Sequence, residues 1–165
     1  MSVQHTLLFL CTGNYYRSRY AEMLFNATKP TTFNWHAVSR GFDPSPFNPG
    51  PIANVVMERL QANGHPISTG ADLPHPKRLA EADLHNAARI IALDAHEHPP
   101  YVRHWFPAWG DRIEYWHVAD LDRVGAGEAL SLIESNVEVL IRELQQEERL
   151  SQVAPSHPLP LDFAG

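Results

Sequence analysis

The chain has 165 residues, the size of one ordinary domain, and its 44% hydrophobic and 19% charged residues are typical of globular proteins. This balance excludes a wholly disordered chain. The formal net charge of −6 argues against nucleic acid and anionic membrane surfaces as partners. The single cysteine excludes an internal disulfide, and the longest apolar run, 7–11, is too short to cross a membrane. We expect a soluble cytoplasmic protein, with its oligomeric state left open.

Continuous apolar stretches alternate with amphipathic ones along the chain. Residues 5–11 (HTLLFLC) predict a fully buried strand, because one apolar residue follows another without alternation. The following 12–14 (TGN) indicates a turn, and 18–27 carries its apolar residues on one helical face. The same patterns predict strands at 34–39, 88–93 and 113–118, helices at 52–62, 98–105 and 127–146, and a proline-rich loop at 43–51.

Strands that alternate with helices are typical of a parallel sheet covered on both faces. We therefore predict an α/β fold, with a four-stranded parallel sheet and helices on both faces. One domain is expected over 1–150, followed by a proline-containing C-terminal tail over 151–165. In such folds ligands bind beyond the carboxyl ends of the strands. Cys11 lies at such an end, on the first turn that leads into a helix.

The segment CTGNYYRS, between the first strand and the first helix, carries the candidate chemistry. A loop in this position can turn its backbone N–H groups inward, and the helix N-terminus adds unpaired N–H groups and a positive dipole end. Such a nest binds a tetrahedral oxyanion, and the planar guanidinium of Arg17 can bind two of its oxygens. The same surroundings favour the thiolate of Cys11, the form that attacks a bound phosphate. The predicted phosphate-binding residues are Thr12, Gly13, Asn14, Tyr15, Tyr16, Arg17 and Ser18.

A lone cysteine at the end of a buried strand is more often an inert packing residue. An arginine six positions after Cys11, followed by a serine at a strand–turn–helix junction, favours the nucleophile instead. Within the loop, we expect Asn14 in the left-handed conformation and Ser18 as a donor to the cysteine sulfur. Tyr15 and Tyr16 could pack beneath the loop or form a wall of the pocket.

This loop resembles that of the low molecular weight protein tyrosine phosphatases, which reads Cys-x-Gly-Asn-x-x-Arg-Ser after the first strand. The following Ala21 and Glu22 match the Ala-Glu of that family. The resemblance implies a flavodoxin-like sheet and a two-step mechanism without metal or other cofactor. Arg19 stands where the family usually has proline, and Tyr16 stands where many members have a second cysteine. The residues that match the loop pattern are Cys11, Gly13, Asn14, Arg17 and Ser18.

The resemblance also implies a general acid after the fourth strand, where the family has an Asp-Pro pair. Asp120 holds this position, with Leu121 in place of the proline, and Asp122 is the alternative. Such a carboxylate protonates the leaving oxygen and then takes a proton from water. Ser39, after the second strand, corresponds to a serine that supports the loop asparagine, here Asn14.

We predict a phosphatase that forms a phosphocysteine on Cys11 and acts on a phosphorylated protein or a small phosphate ester. Protein phosphotyrosine is the first candidate, with phosphoarginine left open. The family's aromatic residues after the acid are missing, and Tyr15, Tyr16 or Trp105 could replace that wall. The alternatives are an arsenate reductase of the same fold coupled to a small thiol, and a phosphate-binding module without catalysis. The stretch 94–98 (DAHEH) contains metal-binding residue types, but the resemblance implies no metal there.

Overall fold

A computed structural model describes residues 3–67 and 73–153. These ranges contain four strands, five α-helices and one short 3₁₀ helix. The strands are β1 (His5–Cys11), β2 (Trp35–Gly41), β3 (Arg89–Ala92) and β4 (Ile113–Tyr115). The helices are α1 (Arg17–Thr28), α2 (Asn54–Ala62), α3 (Glu81–Asn86), α4 (Pro99–Trp105), the 3₁₀ helix Pro107–Arg112 and α5 (Ala126–Val153).

The four strands form one parallel sheet in the order β2-β1-β3-β4, with helices on both faces. This confirms the predicted fold class. Leu7 and Phe9 of β1 pack on the side of α1, α2 and α5, whereas Leu8 and Leu10 pack on the side of α3 and α4. Because both faces of β1 are covered, every side chain in its middle must be apolar, which explains its unbroken hydrophobic run.

The helices differ from the sequence expectation at two places. The six-residue α3 was not predicted, because it buries a single side chain, Leu84, and is too short to show a period. The last helix continues past the predicted end at residue 146, to Val153. Its last buried side chain is Leu144, so the later turns show no apolar stripe, although Glu, Gln and Arg favour helix. Of the predicted tail, 154–165 lies outside the described residues, and the division at 150 stays a prediction.

The length of α5 raises the question of a membrane span. Across 3–67 and 73–153, none of the helices combines the length and the apolar character that crossing a bilayer requires.

Gly41 ends β2 beside the loop that follows β1, and it pairs in register with Cys11. A Cβ atom at Gly41 would lie 2.8 Å from the Thr12 carbonyl oxygen and 2.9 Å from both Asn14 Cβ and Pro44 Cγ. These atoms belong to the loop backbone and its neighbours, which cannot move away as a flexible side chain could. The close approach of the two strand ends therefore requires glycine.

We expect Gly41→Ala to lower the free energy of unfolding by about 1–3 kcal/mol, because the loop must shift to admit the methyl group. Urea unfolding measures this change. Gly127→Ala in the first turn of α5 is the matched control, since its added Cβ meets no atom within 4 Å in the described part of the chain. The control should be neutral or stabilising by up to about 1 kcal/mol. Equal losses in both variants would contradict the assignment of a close approach.

Candidate active site

The loop between β1 and α1 forms the floor of a cavity of about 240 Å³ at the carboxyl edge of the sheet. In the described residues no side chain caps the start of α1, so the N–H groups of its first turn remain available to an anion. A larger cavity of about 720 Å³ lies beside α1, but the cysteine does not line it. The lining of the smaller cavity includes Cys11, Gly13, Tyr15, Tyr16, Arg17 and Asp120.

The sulfur of Cys11 is buried and has two hydrogen-bonding neighbours. Ser18 Oγ lies 2.9 Å from Sγ, and the backbone N–H of Asn14 donates to Sγ over 3.2 Å. Donors directed at a sulfur stabilise the thiolate over the thiol. The loop therefore surrounds the nucleophile with the polar groups that its charged form needs.

Asn14 fixes the shape of the loop. Its φ of 50° is left-handed, as expected from the sequence. The side-chain Nδ2 donates to Ser18 Oγ over 3.0 Å and to Ser39 Oγ over 2.9 Å. The side-chain Oδ1 accepts the backbone N–H of Lys77 over 2.9 Å. One amide thus joins the loop to β2 and to the chain that precedes α3.

Arg17 is held from behind. It is only 2% exposed, and its Nη1 donates to the carbonyl oxygen of Val118 over 3.0 Å and pairs with Glu97 Oε2 over 2.7 Å. Burial alone would lower the pKa of Arg17, but the hydrogen bond to Glu97 and the nearby negative charges raise it above its ordinary value. The guanidinium therefore stays charged at the edge of the cavity.

Sequence reasoning missed Glu97 as a site residue. Its Oε1 accepts the Thr12 hydroxyl over 2.9 Å while its Oε2 pairs with Arg17, so one carboxylate orients both ends of the loop. Burial acts to raise the pKa of Glu97, but the hydrogen bond and charge of Arg17 outweigh it and hold that pKa below its ordinary value. The available signal was position, because Glu97 follows β3 at the same carboxyl edge as Cys11.

The remaining residues of 94–98 form a turn rather than a metal centre. The Asp94 N–H donates to His98 Nδ1 over 3.0 Å, and Asp94 Oδ1 accepts the N–H of His96 over 2.9 Å. No group of three metal-binding side chains occurs in the ranges that the structure describes. Burial, and then the charge of Arg17, lowers the pKa of His98 to about 4. Because Nδ1 accepts, this neutral imidazole carries its hydrogen on Nε2.

The two candidate acids lie in different surroundings. Asp120 lines the cavity, and its Oδ2 lies 3.8 Å from Arg17 Nη2. Its Oδ1 accepts the N–H of Leu121 over 2.8 Å, which holds the carboxylate toward the turn. Asp122 is exposed and is not among the residues that line the cavity. Of the two, only Asp120 shares a cavity with the nucleophile.

The chain was compared with known proteins. No protein-family model matches it, and neither does any curated protein. Among solved structures, YfkJ from Bacillus subtilis is 26% identical, with 89% of this chain and 98% of that chain covered and a TM-score of 0.73. The low molecular weight protein tyrosine phosphatase from T. tengcongensis is also 26% identical, with coverage of 87% and 99% and a TM-score of 0.67. The YwlE arginine phosphatase from Geobacillus stearothermophilus shares the fold at 19% identity, with coverage of 93% and 99% and a TM-score of 0.67.

The chain belongs to the low molecular weight protein tyrosine phosphatase family. Within this family frame, both tyrosines of the loop line the cavity and also anchor its walls. The Tyr15 hydroxyl donates to the Pro49 carbonyl over 2.9 Å, and the Tyr16 hydroxyl donates to the Ala126 carbonyl over 3.2 Å. Burial, followed by the charge of Asp120, raises the pKa of Tyr16 to about 12, so it remains a neutral donor. The indole considered as a further wall, that of Trp105, stacks on a neighbouring tyrosine outside the cavity lining.

The buried His98 predicts a loss of stability in mild acid. The unfolded chain takes up this proton near pH 6.5, whereas the folded chain takes it up only near pH 4. Between these values the unfolded state binds more protons, so the free energy of unfolding falls as the pH falls. This group should contribute a loss on the order of 2–3 kcal/mol across that window.

Urea unfolding between pH 7 and 4.5 tests this expectation with His98→Asn, whose Oδ1 can still accept the N–H of Asp94. The variant should lose much of the pH dependence, whereas His117→Asn, at an exposed histidine, should keep it. An unchanged slope in His98→Asn would show that other groups cause the acid sensitivity.

Proposed function

We propose that this chain hydrolyses phosphomonoesters through a phosphocysteine intermediate on Cys11, with protein phosphotyrosine as the substrate. The observation that supports the proposal is the shared cavity of three groups. A buried sulfur with directed donors, a charged guanidinium and one carboxylate meet at the start of a helix. A reducing compartment such as the cytoplasm suits a reaction that depends on a free thiolate.

In the first step, the Cys11 thiolate attacks the phosphorus in line with the ester bond. The sulfur–phosphorus bond forms as the phosphorus–oxygen bond to the leaving group breaks. The backbone N–H groups of the loop and the fork of Arg17 stabilise the charge that develops on the phosphoryl oxygens. Asp120 donates its proton to the leaving oxygen, which departs as an alcohol or a phenol.

In the second step, the Asp120 carboxylate takes a proton from a water molecule that attacks the phosphocysteine. The sulfur–phosphorus bond breaks, phosphate is released and the thiolate of Cys11 is restored. Ser18, 2.9 Å from the sulfur, is placed to stabilise this leaving thiolate. One carboxylate therefore serves as acid and then as base.

The walls of the cavity favour an aromatic ester. Tyr15, Tyr16 and Leu121 provide the apolar part of the lining above the loop. A phenyl ring can pack against such side chains, whereas a short alkyl phosphate would contact fewer of them. This contrast supports protein phosphotyrosine over small aliphatic esters.

Cys11→Ser should reduce turnover of p-nitrophenyl phosphate to that of a protein-free blank while phosphate still binds, because the backbone donors and Arg17 remain. Arg17→Ala should lose both turnover and phosphate binding. Steady-state assays and phosphate titration by calorimetry measure the two effects. Substantial turnover by Cys11→Ser would exclude the phosphocysteine route.

The same wild-type preparation tests the alternatives. Phosphate binding without any ester turnover would indicate a binding module. Reduction of arsenate in the presence of glutathione and glutaredoxin or mycothiol systems, with no ester turnover, would indicate a thiol-coupled reductase.

Asp120→Asn should slow the hydrolysis of alkyl phosphates by ~10²–10⁴-fold and that of p-nitrophenyl phosphate far less. An alkoxide needs a proton almost completely as it leaves, whereas p-nitrophenolate needs little. The measurement is kcat across esters of graded leaving-group basicity.

Asp122→Asn is the matched control, two residues away and outside the cavity lining, and should stay close to wild type. A steep leaving-group dependence in Asp122→Asn, with Asp120→Asn unchanged, would move the acid to Asp122. No effect in either variant would place the acid elsewhere.

A further inference from the structure

Arg19 and Glu22 form a buried ion pair on α1, away from the cavity. Arg19 is only 3% exposed, and its Nη1 lies 2.9 Å from Glu22 Oε2. A buried ion pair often contributes little to stability, because removing both charges from water offsets their attraction. The pair therefore invites a role other than holding the fold together.

The same carboxylate oxygen also accepts the Ser39 hydroxyl. Glu22 Oε2 lies 2.7 Å from Ser39 Oγ. Burial raises the pKa of Glu22, and the charge of Arg19 opposes that rise most strongly, followed by the hydrogen bond from Ser39. The other charged groups that act on this carboxylate are Arg40 and His36 of β2, with smaller effects.

A carboxylate only accepts hydrogen bonds, so the direction of every later bond in the chain is determined. Ser39 must give its hydrogen to Glu22, which leaves its oxygen to accept from Asn14 Nδ2. The orientation of the Asn14 amide is fixed independently, because its Oδ1 accepts the N–H of Lys77. Its second Nδ2 hydrogen then goes to Ser18 Oγ.

Ser18 Oγ, once it accepts from Asn14, has its own hydrogen free for the sulfur 2.9 Å away. The distance between Ser18 and Cys11 does not by itself say which atom donates. The carboxylate at the far end of the chain decides it, and the sulfur becomes the acceptor.

We propose that Arg19 is a positioning residue for Cys11, because its pairing with Glu22 orders the hydrogen bonds that run through Ser39, Asn14 and Ser18 to the sulfur. This role rests on the proposed function for its catalytic meaning. It concerns the readiness of the thiolate and not the shape of the substrate pocket.

The test is the pH dependence of Cys11 alkylation by iodoacetamide, which is specific because the chain has one cysteine. In Arg19→Met the midpoint of the rate profile should rise by about one pH unit, so alkylation below both midpoints becomes about tenfold slower. Arg19→Lys, which keeps the charge, should stay within about twofold of wild type. Arg142→Met, at an arginine of α5 whose side chain is 66% exposed, is the control for loss of one positive charge and should not move the midpoint.

Two further variants separate ordering from simple charge or folding effects. Ser39→Ala interrupts the chain while Arg19 and Glu22 remain, and should raise the midpoint as Arg19→Met does. The double variant Arg19→Met/Glu22→Gln leaves no unpaired buried charge, and it should still show the raised midpoint. If Arg19→Met alone does not fold, the double variant decides.

A wild-type midpoint in the folded double variant would overturn the inference, and so would a wild-type midpoint in Ser39→Ala. Alkylation needs no phosphate ester, so failure of this inference and failure of the proposed phosphatase activity appear in different assays. A raised midpoint in a protein without turnover would support the ordering and reject the activity.

Discussion

The Asn14 amide is the contact on which the geometry of the loop depends. Its three hydrogen bonds tie a left-handed turn to α1, to β2 and to the chain before α3. Left-handed backbone is unfavourable for residues other than glycine unless the surroundings hold it. The sheet provides this support, since Gly41 lets β2 approach closely enough for Ser39 to reach the amide.

Two buried arginine–glutamate pairs flank this loop and do different work. Arg17 with Glu97 presents a charged fork at the cavity, so its partner must leave part of the guanidinium for a ligand. Arg19 with Glu22 lies behind the loop and meets the sulfur only through other side chains. Charge is thus used directly on one side of the nucleophile and through hydrogen-bond direction on the other.

The local parts of the site were predictable because they lie within one short segment. The thiol, the arginine and the serine stand in the order that an anion-binding turn requires, and the apolar run before them places them at a strand end. Glu97 could not be found in this way, because it is 80 residues from Arg17 and only the pairing of β1 with β3 brings it near. The end of α5 was missed for a similar reason, since turns that bury nothing leave no hydrophobic period.

The sequence by itself determined the fold class, the loop and its candidate nucleophile, because strand burial, helix periodicity and motif spacing are local properties. The choice between Asp120 and Asp122 as the neighbour of Cys11 needed the tertiary structure, as did the partners of Arg17 and Arg19. Two aspartates two positions apart read alike in sequence, and the path of the turn after β4 brings only one to the cavity. The direction of the bond between Ser18 and Cys11 likewise follows from a carboxylate on the next turn of α1 and a hydroxyl on β2, which meet only in the folded chain.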